Sequence, residues 1–291
     1  MHDQYDAVVT DNGSFLAGYK RLCLPQIPKS GAASFLYTTL RILRIRKGRA
    51  DWRIGSRTVA IEAGDIIAVN NVEVRQFLRA DGEIEMDIFA FLPMVFGRDT
   101  DCLRLFYSRA PEFSPRMDRT MPGFRQADTL FDMLPGAFSM KDADVRRTLV
   151  TSLMTAAVTV LLADIHEKSP ALLTADSDSR TAAAVIAAAV HEINHCIGEE
   201  FSVGELAAKL NLSRGYFTRI FRSCTGVTPG AFIARCRVQN AIRLLSSGRY
   251  TVLDAAMASG FGSSSGFYKT FTAVCGMPPG EYLRNAGIAA I

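Results

Sequence analysis

Arg219-Ile-Phe221-Arg-Ser-Cys-Thr-Gly226-Val-Thr-Pro229-Gly-Ala-Phe232 and Lys269-Thr-Phe271-Thr-Ala-Val-Cys-Gly276-Met-Pro-Pro279-Gly-Glu-Tyr282 are one pattern written twice. A basic residue, a phenylalanine, a glycine, a proline and an aromatic recur at a constant offset of 50, which Phe217 and Phe267 keep, as do Ser213 and Ser263. Upstream the offset is 49, with Ser202 matching Thr251 and Ala207 matching Ala256, so the second copy carries one extra residue in its turn. Each copy reads as a helix, a turn and a second helix. Two such units in tandem suggest two readers of one duplex.

A helix–turn–helix reads DNA because its second helix fits the major groove, where base edges present distinct donors and acceptors. One face of that helix must be apolar to dock, and the other must carry small, polar or basic side chains. In the first copy Phe217, Ile220 and Phe221 supply the inner face, leaving Arg214, Gly215, Thr218, Arg219 and Arg222 outside. In the second, Phe267, Thr270 and Phe271 point in, and Ser264, Ser265, Gly266, Tyr268 and Lys269 remain for the outside.

Charge agrees with this placement. Residues 1–180 hold 23 basic and 23 acidic residues, whereas residues 181–291 hold 10 and 6, so the whole net charge of +4 lies in the C-terminal third. That is a weak electrostatic sign of a polyanion partner. The length of 291 residues predicts about two domains. The acidic start, Met-His-Asp-Gln-Tyr-Asp, is no secretory signal. Ala182 to Val190, read as the most apolar run, is too short to span a bilayer. The expectation is a cytoplasmic protein without a membrane partner. The six cysteines form no CxxC and read as reduced thiols.

Residues 5–97 read as strands between turn signals: Ala7 to Thr10, Tyr37 to Ile45, Ala50 to Ile54, Thr58 to Ile61, Ile66 to Val69, Val72 to Leu78 and Ile84 to Leu92. Strands at this spacing predict a small barrel or sandwich. From about 98 to 175 the pattern turns helical. Leu149, Leu153, Ala156, Val160 and Ala163 form a seam on a helix from Asp142 to Asp164, either a core stripe or a dimer contact. Thr174 to Arg180 is small and polar and reads as a linker. Further on, Thr181 to Ile197 reads as a helix. Ser202 with Glu205 forms a capping box, Ser213, Thr251 and Ser263 cap helices, and Thr228-Pro229 opens a long one.

The segment Ala256-Met-Ala-Ser-Gly260-Phe261-Gly-Ser263-Ser-Ser-Gly-Phe267-Tyr-Lys-Thr-Phe271, continuing through Gly276-Met-Pro-Pro279-Gly-Glu-Tyr282-Leu-Arg284, resembles the signature of the AraC/XylS transcription regulators. Arg237 to Leu245 resembles the connecting helix of that family. The resemblance covers about residues 181–286 and implies a seven-helix DNA-binding domain. Its base-reading positions fall on Gly215, Thr218 and Arg219, and on Ser264, Ser265 and Lys269, with Arg214 and Arg222 alongside. Gly215 is smaller than the family's usual side chain there, and Lys269 stands where arginine is frequent and lacks its planar fork. The tyrosine- or alcohol-rich surface of the second reader suggests looser discrimination by that half.

The N-terminal part, Gly48-Arg-Ala-Asp-Trp52-Arg-Ile-Gly and Gly64-Asp65-Ile-Ile-Ala-Val-Asn, resembles the family's cupin-like regulatory domain. The expected architecture is α+β in two domains: a cupin-like β-barrel at 1–97 with a helical dimerisation and linker appendage at 98–175, then an all-α double helix–turn–helix domain at 181–286. The resemblance implies double-stranded DNA, a homodimer partner, RNA polymerase if the protein activates, and a small effector in the barrel. Candidate effector residues are Arg41, Arg44 and Trp52, within a run of seven basic residues from Arg41 to Arg57.

One motif competes. His191-Glu192-Ile-Asn-His195 is an HExxH sequence that could place two imidazoles and a general base around zinc. Its extension toward a third histidine ends on Phe201, which binds no metal, so no metal, cofactor or catalytic residue is expected. A metal cupin is equally unsupported, because residues 1–100 contain only His2 among histidines. An interaction module that binds neither duplex nor metal is the remaining alternative.

Overall fold

The computed structural model describes residues 5–11, 13–25, 39–55, 57–71, 73, 75–97, 99–107, 114–168 and 177–285. Among these, two compact units follow one another along the chain, the first through residue 187 and the second from residue 188.

Among the described residues the first unit holds eight antiparallel strands: β1 (Ala7–Asp11), β2 (Ser14–Leu24), β3 (Leu40–Lys47), β4 (Arg49–Ile54), β5 (Arg57–Glu62), β6 (Ile66–Val69), β7 (Arg75–Ala80) and β8 (Ile84–Phe91). They form a five-stranded sheet, β1-β2-β8-β3-β6, and a three-stranded sheet, β5-β4-β7. The inward residues of both sheets share one core: Leu43, Ile45, Trp52, Ile54, Ile61, Ile67, Val69, Phe77, Ile84, Met86 and Ile88. The arrangement is barrel-like but not closed.

Sequence pattern anticipates every strand except β2, the longest. Its alternation breaks at Gly18, where a Cβ would sit 2.6 Å from the Tyr5 ring, and at Lys20, which is buried. The readings at Tyr37, Thr38 and Val72 lie outside the described residues.

The other face of the five-stranded sheet is covered by helices. After the short α1 (Arg104–Tyr107) come α2 (Phe124–Phe138) and α3 (Ala143–Lys168). Phe131 of α2 stacks on Phe89, and Phe138 packs against Tyr19. Asp142 caps α3, accepting hydrogen bonds from the backbone N–H of Asp144 and Val145 at 2.9 Å each. Val150, Met154, Ala157, Val158, Leu161, Leu162 and Ile165 of α3 are buried. The seam foreseen on this helix lies to one side of that core stripe. Ala156 and Ala163 are exposed, and Leu149, Leu153 and Val160 are half-buried.

Ala143–Ile165 within α3 is long and apolar enough to cross a membrane by length and composition, and here it forms the core helix of its unit. One expectation needs correction. The stretch read as a linker is partly ordered. Ser177 to Arg180 form the first turn of α4 (Ser177–His195), and residues 174–176 lie outside the described part. Helical propensity carries on through short polar side chains when an alanine-rich segment follows directly.

The second unit continues from α4 through α5 (Val203–Lys209), α6 (Arg214–Thr225), α7 (Pro229–Ser246), α8 (Val252–Ala258), α9 (Ser264–Cys275) and α10 (Pro279–Asn285). The two copies are α5–α6 and α8–α9. Ser202 Oγ accepts from the Glu205 N–H at 3.1 Å, while the Glu205 carboxylate accepts from the Ser202 N–H at 2.6 Å. Phe217 and Phe221 are fully buried with Phe232 of α7, and Phe267 and Phe271 pack with Val238, Ala241 and Leu245 of the same helix. α7 therefore carries a hydrophobic seat for each reader. Burial pushes the Cys236 and Cys275 thiols up to about 12, so both serve as small neutral core groups.

Candidate nucleic-acid interface

α6 and α9 are built alike because their ends are written alike. Ser213 Oγ accepts from the Tyr216 N–H at 3.3 Å, and Ser263 Oγ accepts from the Gly266 N–H at 3.2 Å. Each helix runs 12 residues and ends on a left-handed glycine, Gly226 or Gly276, both with φ 76°. Those glycines donate at 2.8 Å to the Arg222 and Thr272 carbonyls. A side chain with a Cβ would be strained there.

The inner faces match expectation, except that Thr270 is only half-buried. On the outer face of α6, Arg214, Gly215, Arg219 and Arg222 are exposed and Thr218 is half-buried. All five line one open concavity of about 850 Å³. Ser223 and Thr228 complete its wall; the sequence marks Thr228 only as a helix cap and does not mark Ser223. Thr228 is the N-cap of α7, so the start of that helix borders the concavity.

Among the described residues none of Arg214, Arg219 and Arg222 makes an ion pair. The Arg219 guanidinium lies 5.4 Å from the centre of the exposed Tyr216 ring, a cation–π contact. On α9, Ser264, Ser265 and Lys269 are exposed, and Lys269 likewise has no ion pair among the described residues. Tyr268 is exposed beside them. These exposed cations on a helix face are suited to receive phosphates and base edges.

The HExxH residues sit elsewhere. His191 and His195 are exposed on one side of α4, with ring centroids 6.4 Å apart. Glu192 is held by Lys209 of α5 at 3.1 Å. Among the described residues no three His, Cys, Asp or Glu side chains gather to hold a metal ion. His2 lies outside the described residues.

The three candidate effector residues separate. Arg44 lies on the helix-covered face of β3. It is bonded to Asp128 at 2.6 Å and to Asp132, both on α2. Burial disfavours its charge, but those carboxylates outweigh the penalty and raise its pKa. Arg44 thus clamps α2 to the sheet and is removed from the effector set. Trp52 is buried in the inter-sheet core, stacked on Phe77 with centroids 5.0 Å apart, and fills space. Arg41 shares the inward parity of Leu43 and Ile45 and is 2% exposed.

Sequence reading missed a second inward arginine, Arg75, on the parity of Phe77 and also 2% exposed. It donates to the Asn70 carbonyl, while the Tyr107 hydroxyl donates to Asn71 at 2.9 Å. Arg41 pairs in register with Val69, immediately before Asn70. One end of the barrel is therefore polar and basic inside, and the rest is apolar.

Known proteins agree with this geometry. Residues 206–285 match the helix-turn-helix domain family. The RCS-specific HTH-type transcriptional activator RclR of Escherichia coli is 32% identical over 97 residues, 33% of this chain and 34% of that protein. The HTH-type transcriptional regulator MtrA of Neisseria gonorrhoeae is 33% identical over 89 residues, 31% of this chain and 30% of that one. These matches span about a third of either relative's length. The Msm operon regulatory protein of Streptococcus mutans is 26% identical over 83% of this chain and 82% of its own. The fold of the whole chain resembles ToxT of Vibrio cholerae, solved with an unsaturated fatty acid bound. The TM-score is 0.57 at 15% identity, over 97% of this chain and 100% of that one.

Proposed function

We propose that the chain, whose residues 206–285 match the helix-turn-helix domain family, is a sequence-specific DNA-binding transcription regulator of the AraC/XylS type. One observation carries the reading: the three arginines of α6 line an open concavity and are spent on no carboxylate among the described residues. Arg219, Thr218 and Gly215 face base edges, with Arg214 and Arg222 beside them on the backbone. Ser264, Ser265 and Lys269 play the matching parts on α9. The relatives are named as transcriptional activators, transcriptional regulators or operon regulatory proteins. On this reading the protein is not an enzyme and works on DNA in the cytoplasm.

Control belongs to the first unit. A small acidic effector enters the barrel and is received by Arg41 and Arg75. ToxT supports this in kind, since its structure holds a fatty acid. Two copies bind repeated half-sites, paired through the seam Leu149, Leu153, Ala156, Val160 and Ala163. RNA polymerase is the further partner if the protein activates.

The test is duplex binding by the full chain over a salt series, with a random-sequence pool. The expected result is enrichment of a defined sequence and an affinity that falls steeply with salt, with a log–log slope of about 0.9 per neutralised phosphate. Salt-insensitive binding without sequence enrichment overturns the reading.

A further inference from the structure

The offset of 50 that relates the two copies places Tyr268 on α9 where Thr218 stands on α6. Both are the fifth residue of a 12-residue helix capped by serine at one end and left-handed glycine at the other. The positions are therefore equivalent on the helix surface, and Thr218 lines the concavity of the first reader.

Tyr268 is 46% exposed, whereas Phe267 and Phe271 on the same helix are fully buried. Docking of α9 onto α7 is thus completed without it, and the first copy docks with a threonine in its place. The ring meets Phe267 edge-on, with centroids 5.7 Å apart at 80°, and its remaining surface is open. Its neighbours on the outer face are Ser264, Ser265 and Lys269, small alcohols and one flexible cation. None of them offers the planar fork that discriminates guanine.

An exposed aromatic ring at a proposed base-reading position has an apolar counterpart in the major groove. Thymine alone among the four bases presents a methyl group there. Resting on the proposed DNA-binding function, we infer that Tyr268 is a specificity-determining residue that reads thymine through its 5-methyl group. The second reader is then selective by shape, and the tyrosine that suggests looseness in the sequence is the source of the selectivity.

Deoxyuridine tests this directly, because it keeps the hydrogen-bonding edge of thymine and lacks the methyl. The full chain first selects its preferred duplex from a random pool. No selected sequence means that the DNA-binding reading fails, independently of Tyr268. With a selected duplex in hand, Tyr268→Ala should lose a preference for thymine at one position. Deoxyuridine there should weaken the wild type roughly fourfold, the worth of one buried methyl group. It should leave Tyr268→Ala unchanged. Tyr268→Phe should behave as wild type, since the ring and not the hydroxyl makes the contact. Tyr268→Thr, which installs the first copy's residue, should unfold at the wild-type temperature, so that a loss of binding in Tyr268→Ala is not a loss of fold. The inference is overturned if Tyr268→Ala selects the same sequence, if deoxyuridine is tolerated at every thymine, or if Tyr268→Phe behaves like alanine.

Discussion

Arg219 and Arg222 share the outer face of α6 and should fail differently. Arg219 lies over the Tyr216 ring, which limits the directions its fork can take. Arg219→Ala should cost about 1–3 kcal/mol of specific binding and relax preference at one base pair. Arg219→Lys should lose part of the same discrimination, because a flexible ammonium lacks the planar fork that pre-organises two parallel hydrogen bonds to a guanine edge. Arg222 stands three residues on, at the last turn of α6, beside Ser223 on the concavity wall. Arg222→Ala should weaken all duplexes alike and lower the salt slope by about one. Anisotropy titrations against matched and scrambled duplexes separate the two. An equal loss on both duplexes for Arg219→Ala would remove it from the base-reading set.

At the scale of elements, α2 is tied to the sheet by charge. Asp132 bonds Arg44 and also Arg46 at 3.0 Å, while the fully buried Asp87 accepts from Arg46 at 2.5 Å, Arg21 at 2.8 Å and the Tyr19 hydroxyl at 3.0 Å. The Arg44 and Arg46 guanidiniums hold the Asp132 carboxyl down at about 2. Burial opposes the charge of Asp87, but its arginine and tyrosine partners outweigh that and keep its pKa below the usual range. An unfolded aspartate titrates near 4. A depressed folded pKa gives stability that is complete above the unfolded value and lost as pH falls toward the folded one. The first unit should therefore keep its unfolding midpoint from pH 7 to about 5 and lose stability between about 4 and 2. Asp132→Asn should flatten part of that loss, and an unchanged acid profile would show that the clasp contributes little. On α6, Ser213→Ala should cost about 1 kcal/mol by denaturant titration, the usual worth of an N-cap.

These two elements also mark where sequence is readable. The ends of α6 are legible residue by residue, because serine caps, glycine stops and buried phenylalanines each have a local cause. β3 is not, because Leu40 through Ile45 are buried on both faces. With no wet face the alternation disappears, and Arg41 and Arg44 look equivalent. Only their parity separates a barrel interior from a helix-covered face, and parity becomes visible once β6, β8 and α2 are placed. Arg75 is hidden for another reason: β7 does alternate, with Arg75 and Phe77 buried and Gln76 and Leu78 half-buried, but an arginine on the inward parity reads as a surface charge.

For the whole molecule, control requires that a ligand in the first unit and DNA on the second change each other's affinity. That coupling is reciprocal: if the effector changes duplex affinity by some factor, the duplex changes effector affinity by the same factor. A series of straight-chain carboxylates is the natural probe, given the inward Arg41 and Arg75 beside an apolar core. A ligand that binds only the folded chain adds stability as RT ln(1 + [L]/Kd), about 2.7 kcal/mol at a hundredfold excess over Kd. Full-length protein should therefore unfold at a higher temperature with the bound acid, and Arg41→Ala should not respond. Residues 176–291 carry the readers without the barrel, so their duplex affinity should ignore the acid while that of the full chain shifts. An equal operator affinity and promoter response from fragment and full chain under every condition would leave the barrel no part in regulation. A stabilised full chain with unshifted DNA affinity would show a binding site uncoupled from the readers, because an effector moves an equilibrium only by its differential affinity for the two states.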